Sequence, residues 1–293
     1  NLFFTHWAYW DLCLLQKGKA NMQQQRICLL SSTNGPYTKM VAKHFDILGI
    51  HYSMLIERND AQRGKDSIRR YVSIPMKMLN LLNSGPYKAL SNWSIYKYYK
   101  VLKYFVYKRS HFYKMVQREY ADYSPTPEKL LFTPVMNSAR TREIILENKF
   151  DIGIFADVPI IKGYIIDSFN QCCLNAHPAP LPECRGGGAL QNTLYYGLWP
   201  AVSIHYATSR VDQGDIIRVT KLQLVANDSL ESISTKLTIL CGSELAAVTK
   251  DLIDKKEFRT IKNTGGKLHY WRDCNIKIQK KADRNLKKML SGL

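Results

Sequence analysis

The chain has 293 residues, 45% of them hydrophobic, which is enough for one substantial core plus a small appendage. Its 42 Lys and Arg against 24 Asp and Glu give a formal charge of +18, which favours anionic partners without identifying them. The seven cysteines show no Cys-x-x-Cys spacing and no run of eighteen apolar residues occurs, so we expect a cytoplasmic globular protein with no metal site, disulfide framework or spanning helix.

An apolar segment precedes the first predicted strand. Residues 1–15 are rich in aromatic side chains, but Asp11 interrupts them, and neither a basic segment before them nor a cleavage site after them suggests a secretory signal. Met22 stands just before a good strand. We therefore expect residues 1–21 to be a poorly ordered extension outside the folded domain.

A strand, a loop and a helix follow in that order. Arg26–Ser31 is predicted to be a strand, Tyr37–Leu48 a helix and His51–Ile56 a second strand, an order typical of an open parallel sheet. The loop at residues 31–35 holds one glycine and lacks a G-x-G-x-x-G pattern. Two interpretations of this loop stay open, a phosphate cradle at the helix start and an ordinary turn.

Residues 63–120 form a basic insertion in which tyrosines alternate with lysines. Between Arg63 and Glu119 there are thirteen basic and two acidic residues, and the apolar residues from Ile95 to Val116 fall near one helical face. Three interpretations are open: a solvated helix, a binding surface for an anionic substrate such as a nucleotide-linked sugar or tRNA, and a helix at a membrane surface.

The second half of the chain continues the alternation of helices and strands. Together these elements predict an α/β, Rossmann-like open sheet, mostly parallel, with helices on both faces. We place a catalytic domain at residues 22–225 and a C-terminal helix with a short basic tail at residues 226–293. The predicted elements are a helix at Asn137–Glu147, strands at Asp151–Phe155, Pro200–Tyr206 and Ile216–Leu224, a helix at Gln191–Gly197, a long helix at Ser229–Ile253 capped by Asn227-Asp228, and a tail at Lys255–Leu293 anchored by Tyr270-Trp271.

The most informative motif begins at Asn175. Asn175 and His177 lie two residues apart, so both side chains leave the same face of an extended segment, and the prolines at positions 178, 180 and 182 exclude a helix after them. Arg185-Gly-Gly-Gly188 follows, and Asp212 comes about thirty residues later in an Asp-x-Gly-Asp sequence. An amide that donates to an oxyanion, an imidazole that moves a proton and a carboxylate that orients the imidazole suit acyl transfer.

This ordered set of motifs resembles the formyltransferases that use 10-formyltetrahydrofolate, a family that includes glycinamide ribonucleotide, methionyl-tRNA and sugar-nucleotide enzymes. Asn175-Ala-His177-Pro-Ala-Pro-Leu-Pro182 and Asp212-Gln-Gly214-Asp-Ile-Ile217 follow the family pattern, except that Ala179-Pro180 stands where Ser-Leu is usual. The resemblance extends over residues 22–225 and is firm from residue 137 onward.

The resemblance implies roles for individual residues. Asn175 would polarise the formyl carbonyl, His177 would serve the proton transfers at the attacking amine, and Asp212 would orient His177 or relay its proton, with Asp215 as the competing carboxylate. A turn role is the alternative for Asp212, since Asp-x-Gly is a common turn. Arg185, Gly186 and Gly187 would bind substrate. The folate would be held by the loop after the strand at Asp151–Phe155, through Phe155, Ala156, Asp157, Val158, Ile160 and Ile161.

The implied activity is formyl transfer from 10-formyltetrahydrofolate to a primary amine on an anionic small molecule. An amino sugar nucleotide is the leading acceptor, because the tRNA enzymes carry a further C-terminal barrel and the glycinamide ribonucleotide enzymes have a richer Gly-Ser loop. Those two acceptors remain alternatives, as does hydrolysis of the folate with water as acceptor. An inactive relative that binds nucleic acid or a membrane surface is the non-enzyme alternative. The sequence predicts no oligomeric state.

Overall fold

The structure is a computed structural model that describes residues 25–32, 35–58, 120, 122–270 and 273–293. The N-terminal extension, all of the basic insertion except Tyr120, and two residues of the loop at 31–35 lie outside these ranges, so the predictions made for them stay predictions. Within the described ranges, no helix combines the length and the apolar character that crossing a bilayer requires.

A seven-stranded sheet lies at the centre of the molecule. Its first five strands run parallel to their neighbours, and the last two are antiparallel additions at one edge. This confirms the predicted open, mostly parallel sheet. In the order in which they lie side by side, the strands are β3 (Leu130–Thr133), β2 (Ser53–Glu57), β1 (Ile27–Ser31), β4 (Ile152–Phe155), β5 (Cys172–His177), β7 (Ala201–Tyr206) and β8 (Ile216–Lys221).

Helices cover both faces of the sheet, because alternate side chains of the buried strands point to opposite faces. Leu29 of β1 faces a cluster that includes Phe45 and Leu245, whereas Leu30 faces one that includes Ile145 and Ile165. The first cluster packs under α1 (Pro36–Ile47) and α5 (Leu230–Ile253), and the second under α2 (Ala139–Asn148) and α3 (Gly163–Ile166).

The long helix α5 begins at Leu230, one residue later than predicted, and its capping residue also differs from the predicted one. Ser229 is the capping residue: its hydroxyl accepts from the Ser232 N–H, and the Ser232 hydroxyl accepts from the Ser229 N–H, a reciprocal capping box. Asp228 instead accepts from the Ser232 hydroxyl and from Nζ of Lys236. The helix boundary was therefore predicted closely, but the Asn227-Asp228 cap was wrong.

The C-terminal segment differs from the predicted short tail. Leu268–His269 forms β9, which pairs in parallel with β6 (Arg185–Gly186), and Ile276–Leu290 forms α6 on top of α4 (Ala189–Tyr195). Ala282 and Leu286 are buried one turn apart under the lysine-rich face, whereas Tyr270 is half exposed. The six basic residues of α6 masked this narrow apolar stripe in the sequence.

Candidate active site

The side chains of Asn175, His177 and Asp212 meet at the carboxyl end of β5, as predicted from the sequence. Nδ1 of His177 lies 3.4 Å from Oδ2 of Asp212, and Nδ2 of Asn175 lies 3.5 Å from Oδ1 of the same carboxylate. Asn175 and His177 come from one strand, and Asp212 comes from the turn between β7 and β8. Convergence of an amide, an imidazole and a carboxylate is therefore a property of the fold.

The turn that carries Asp212 is shaped by its backbone. Asp212 has a left-handed φ of 47°, a conformation that Asp adopts more readily than most residues. A Cβ at Gly214 would lie 1.8 Å from the carbonyl oxygen of Tyr206, so only glycine fits there. This close approach explains the glycine of the Asp-x-Gly motif, and it shows that Asp212 is both a turn residue and a site residue.

The Asp212 carboxylate is held as an anion. The Gly186 N–H donates to Oδ2 at 2.9 Å, and only 11% of the side chain is exposed. Burial alone would raise the pKa of Asp212, but the His205 and His177 imidazoles in their protonated forms, together with the Gly186 N–H, outweigh it, so the pKa lies below its ordinary value. At neutral pH the site therefore holds a fixed negative charge.

The two ring nitrogens of His177 both face protein atoms. Nε2 lies 2.7 Å from the carbonyl oxygen of Cys184, which can only accept, so Nε2 carries the proton and Nδ1 is the nitrogen that titrates beside Asp212. Burial lowers the pKa of His177, and the opposing effects of Asp212 and of the Cys184 carbonyl offset this only in part. His177 is thus buried beside Asp212, and its part in proton transfer stays a prediction.

His205 is a fourth polar residue of the site, and the sequence reasoning missed it. It is the register partner of Asn175 across β5 and β7, and it is almost fully buried. Its Nδ1 lies 2.8 Å from the Tyr206 carbonyl and must carry a proton, so its Nε2 accepts from Nδ2 of Asn175 at 3.1 Å. The available signal was a polar side chain at every second position, Ser203 and His205, in an otherwise apolar strand.

A cavity of about 190 Å³ opens beside these residues, and Asn175, His205 and Asp212 form its polar wall. The loop after β4, predicted to bind folate, contributes Phe155, Val158, Ile160 and Ile161. The loop that follows β7 closes the other side. This wall consists of Ala207, Thr208, Ser209, Arg210 and Val211.

Two of the residues predicted to bind folate do not line this cavity. Ala156 is fully buried, and its N–H donates to the Leu30 carbonyl, which continues the strand ladder. Oδ2 of Asp157 lies 3.5 Å from the Thr38 hydroxyl, which donates to it from the first turn of α1. Burial raises the pKa of Asp157, and the bonds from Thr38 offset this in part.

The residues predicted to bind substrate make their contacts inside the protein. The Arg185 guanidinium is buried and donates to the carbonyls of Val211 and Gly266. The Gly186 N–H serves Asp212, and the Gly187 N–H donates to the His269 carbonyl. These donors hold loops together in the structure, and a role of the three residues in substrate binding stays a prediction.

The described residues contain no group of three His, Cys, Asp or Glu side chains arranged to hold a metal ion. The chemistry available in this part of the chain is therefore that of a carboxamide, a carboxylate and two imidazoles beside an apolar cavity.

Comparison with known proteins agrees with this geometry. The family described as Formyl transferase matches residues 143–248, which include Asn175, His177, His205 and Asp212. The methionyl-tRNA formyltransferase of Rickettsia typhi is 35% identical over 115 residues, 38% of either chain, and that of Bacillus velezensis is 26% identical over 144 residues, 47% of this chain and 45% of the relative. The chain thus spans less than half the length of these curated relatives.

A solved structure extends the similarity in fold. The sugar N-formyltransferase of a Shewanella species superposes with a TM-score of 0.54 at 11% identity, over 90% of this chain and 88% of that one. At this identity the match shows the fold alone, and it agrees with the seven-stranded sheet described above. Residues 143–248 are thus similar to the formyl transferase family, and the fold agrees with this similarity.

Proposed function

We propose that the protein transfers a formyl group from 10-formyltetrahydrofolate to a primary amine. The observation that carries this proposal is the placement of Asn175 and Asp212 on the wall of a cavity whose other walls are largely apolar. The apolar walls of the cavity suit the faces of a flat heteroaromatic ring such as a pterin, and the polar wall suits the reacting carbonyl. The match of residues 143–248 to the formyl transferase family supports the same reaction.

The proposed reaction begins when the amine nitrogen attacks the formyl carbon and forms the new C–N bond. The carbonyl electron pair moves to oxygen, and the Asn175 amide donates to the resulting oxyanion. The amine proton passes to the Asp212 carboxylate, which is ionised at neutral pH before it takes up this proton. The intermediate then collapses: the carbonyl re-forms, the bond to N10 of the folate breaks, and N10 takes up the proton. The products are a formamide and tetrahydrofolate.

His177 and His205 would act through the two wall residues. Nδ1 of His177 lies beside Oδ2 of Asp212 and can share the proton that the carboxylate takes up, because the pKa of His177 is lower than usual and the proton returns easily. Nε2 of His205 accepts from Asn175 and fixes the direction of the amide that faces the carbonyl. His177 thereby keeps a role in proton transfer, one step further from the amine than the sequence implied.

For the acceptor, we propose an amino sugar nucleotide. Arg185-Gly186 after Leu181-Pro182 resembles the tRNA and sugar branches more than the purine branch. The described residues after α5 fold back onto the catalytic domain as β9 and α6, so that β9 pairs with the Arg185-Gly186 segment. Methionyl-tRNA is the second candidate, since the curated relatives described above act on it.

The test is to incubate the full chain with 10-formyltetrahydrofolate and one acceptor at a time: amino sugar nucleotides, glycinamide ribonucleotide or methionyl-tRNA. Tetrahydrofolate release is followed by absorbance, and the formylated product by mass spectrometry. We expect release that depends on an amino sugar nucleotide and is lost in Asn175→Ala. Release without an acceptor would assign the hydrolase instead, and no release with any acceptor would overturn formyl transfer.

A further inference from the structure

The turn that carries Asp212 is held from outside by Asn263. This residue follows α5, beyond the residues that match the family, and it is buried. Its Nδ2 donates to the carbonyl oxygens of Asp212 at 3.0 Å and of Gly214 at 3.1 Å, and its Oδ1 accepts from the Gly265 N–H at 3.2 Å. One side chain thus satisfies both carbonyls on the two sides of the turn.

Arg185 closes the same arrangement from the other direction. Its guanidinium donates to the Val211 carbonyl at 2.7 and 3.2 Å and to the Gly266 carbonyl at 2.9 Å. A Cβ at Gly266 would lie 1.9 Å from the Pro182 carbonyl oxygen, so the segment is pressed against the loop that follows the Asn175 motif. We call residues 263–269 the C-terminal clasp, since they join this loop to the Asp212 turn.

We propose that Asn263 and Arg185 are positioning residues that hold the Asp212 carboxylate against His177 and Asn175 through the C-terminal clasp. The observation behind this is that the backbone carbonyls of residues 211, 212 and 214 all accept from these two side chains. The Gly186 N–H, one residue from Arg185, donates to the carboxylate itself. The position of Asp212 therefore depends on residues distant in sequence. These contacts hold the carboxylate in place before substrate binds.

The kinetic consequence of this inference rests on the proposed function, whereas its structural consequence does not. Without the Asn263 amide, the carbonyl oxygens of Asp212 and Gly214 lose the donor that they have in the structure. We therefore expect the turn to move until these oxygens find other donors. Small displacements of a catalytic group reduce turnover strongly. We therefore expect Asn263→Ala to lower kcat by about tenfold.

Asn285→Ala is the matched control. Asn285 also lies in the C-terminal segment, and its Nδ2 also donates to two backbone carbonyls, at 2.7 Å to Leu194 and 3.2 Å to Tyr195. Those carbonyls end α4 and do not belong to the Asp212 turn. Asn285→Ala should therefore lower the melting temperature to a similar extent while leaving kcat unchanged. Equal losses of kcat in both variants would overturn the proposal.

A double-mutant cycle separates positioning from general stability. If Asn263 acts through Asp212, its removal should matter little once the carboxylate is gone, so Asn263→Ala combined with Asp212→Asn should stay within about twofold of Asp212→Asn alone. A full, multiplicative loss in the double variant would show that Asn263 acts on something else, and the proposal would fail.

A second readout needs no turnover. The charged or titratable groups around His177 are Asp212, His205 and Arg185, and Asp212 is the anion among them. We expect the pKa of His177, followed by NMR on histidine-labelled protein, to fall in Asn263→Ala and to stay constant in Asn285→Ala, because the carboxylate moves away only in the first. An unchanged or higher pKa would overturn the clasp, even if no acceptor amine supports turnover.

Asn263→Asp serves if the alanine variant does not fold. The added carboxylate would by itself raise the pKa of His177, so this variant is compared with Asn263→Leu, which removes both donors to the turn and adds no charge. The same fall in the pKa of His177 is expected in Asn263→Leu, and its absence there would contradict the proposal in the same way.

Discussion

Asn175 and His205 are directly opposed across β5 and β7, with 3.1 Å between Nδ2 of the amide and Nε2 of the imidazole. The imidazole is fixed from its other side, because Nδ1 donates to the Tyr206 carbonyl. The amide therefore keeps one orientation without help from a bound ligand. A sequence motif consists of residues close together in the chain, so it could not indicate that a side chain on a neighbouring strand orients Asn175.

The first prediction concerns this pair. His205→Leu keeps a side chain of similar bulk but removes the Nε2 acceptor. The Asn175 amide then loses its fixed direction, and kcat should fall by about tenfold. His51→Leu, at an exposed histidine on the opposite side of β1, is the control and should retain wild-type kcat. Unchanged turnover in His205→Leu would mean that Asn175 needs no such partner.

The second prediction concerns the carboxylate that touches both histidines. Asp212→Asn keeps the shape of the side chain and removes its charge, so proton uptake from the amine is lost and kcat should fall by about 100-fold. Asp215→Asn tests the competing carboxylate of the same motif. Asp215 is exposed, and its Oδ1 accepts from the Asn263 N–H, which an amide oxygen can also do. Steady-state kinetics with 10-formyltetrahydrofolate should therefore show little change in that variant, and the reverse ranking would exchange the roles.

Much of the fold could be predicted because the strands and helices carry strong local signals. β1 and β4 are uninterrupted apolar runs, and α5 shows helical spacing over 24 residues. The pairing of β1 with β4 joins segments about 125 residues apart, and that of β6 with β9 joins segments about eighty apart, so no local pattern encodes them. The packing of α6 against α4 could not be predicted for the same reason, since the two helices are distant in sequence.

The candidate site was predictable to the extent that its residues share a motif. Asn175, His177 and Asp212 were named from spacing and resemblance, and the structure brings them together. Their detailed relations were not predictable: the Cys184 carbonyl, which directs Nδ1 of His177 toward Asp212, follows a proline-rich turn whose path depends on tertiary packing. Arg185 was predicted to bind substrate from the resemblance, whereas in the structure its guanidinium donates to backbone carbonyls of the chain itself.

The third prediction concerns stability and pH. Burial holds the pKa of His177 below its ordinary value of 6.5, so the folded protein binds less proton than the unfolded chain just below that pH. The contribution of His177 to stability is therefore fully present above about pH 6.5 and is lost as the pH falls toward the folded pKa. His177→Gln removes this group.

Urea denaturation at pH 7.5, 6.5 and 5.5 would measure the effect. The free energy of unfolding of the wild type should decrease more between pH 6.5 and 5.5 than that of His177→Gln, whereas other titrating groups, including His269, whose pKa burial also lowers, contribute equally to both. Parallel curves for the two proteins would show that His177 has the same pKa in the folded and unfolded states.

The last prediction tests the apolar wall of the cavity. Ile160 is 71% exposed although it is a large aliphatic residue, and it lines the cavity beside Asn175. Exposed aliphatic groups at a cavity rim gain free energy when a ligand covers them, and the Ile160→Ala truncation should cost about 1 kcal/mol, or about fivefold in the Kd for tetrahydrofolate. Ile47 is 67% exposed at the end of α1 and lines no part of this cavity, which makes Ile47→Ala the matched control. Isothermal titration calorimetry should show weaker binding only for Ile160→Ala, because only there does the folate cover the removed atoms; equal affinities for the two variants would place the pterin elsewhere.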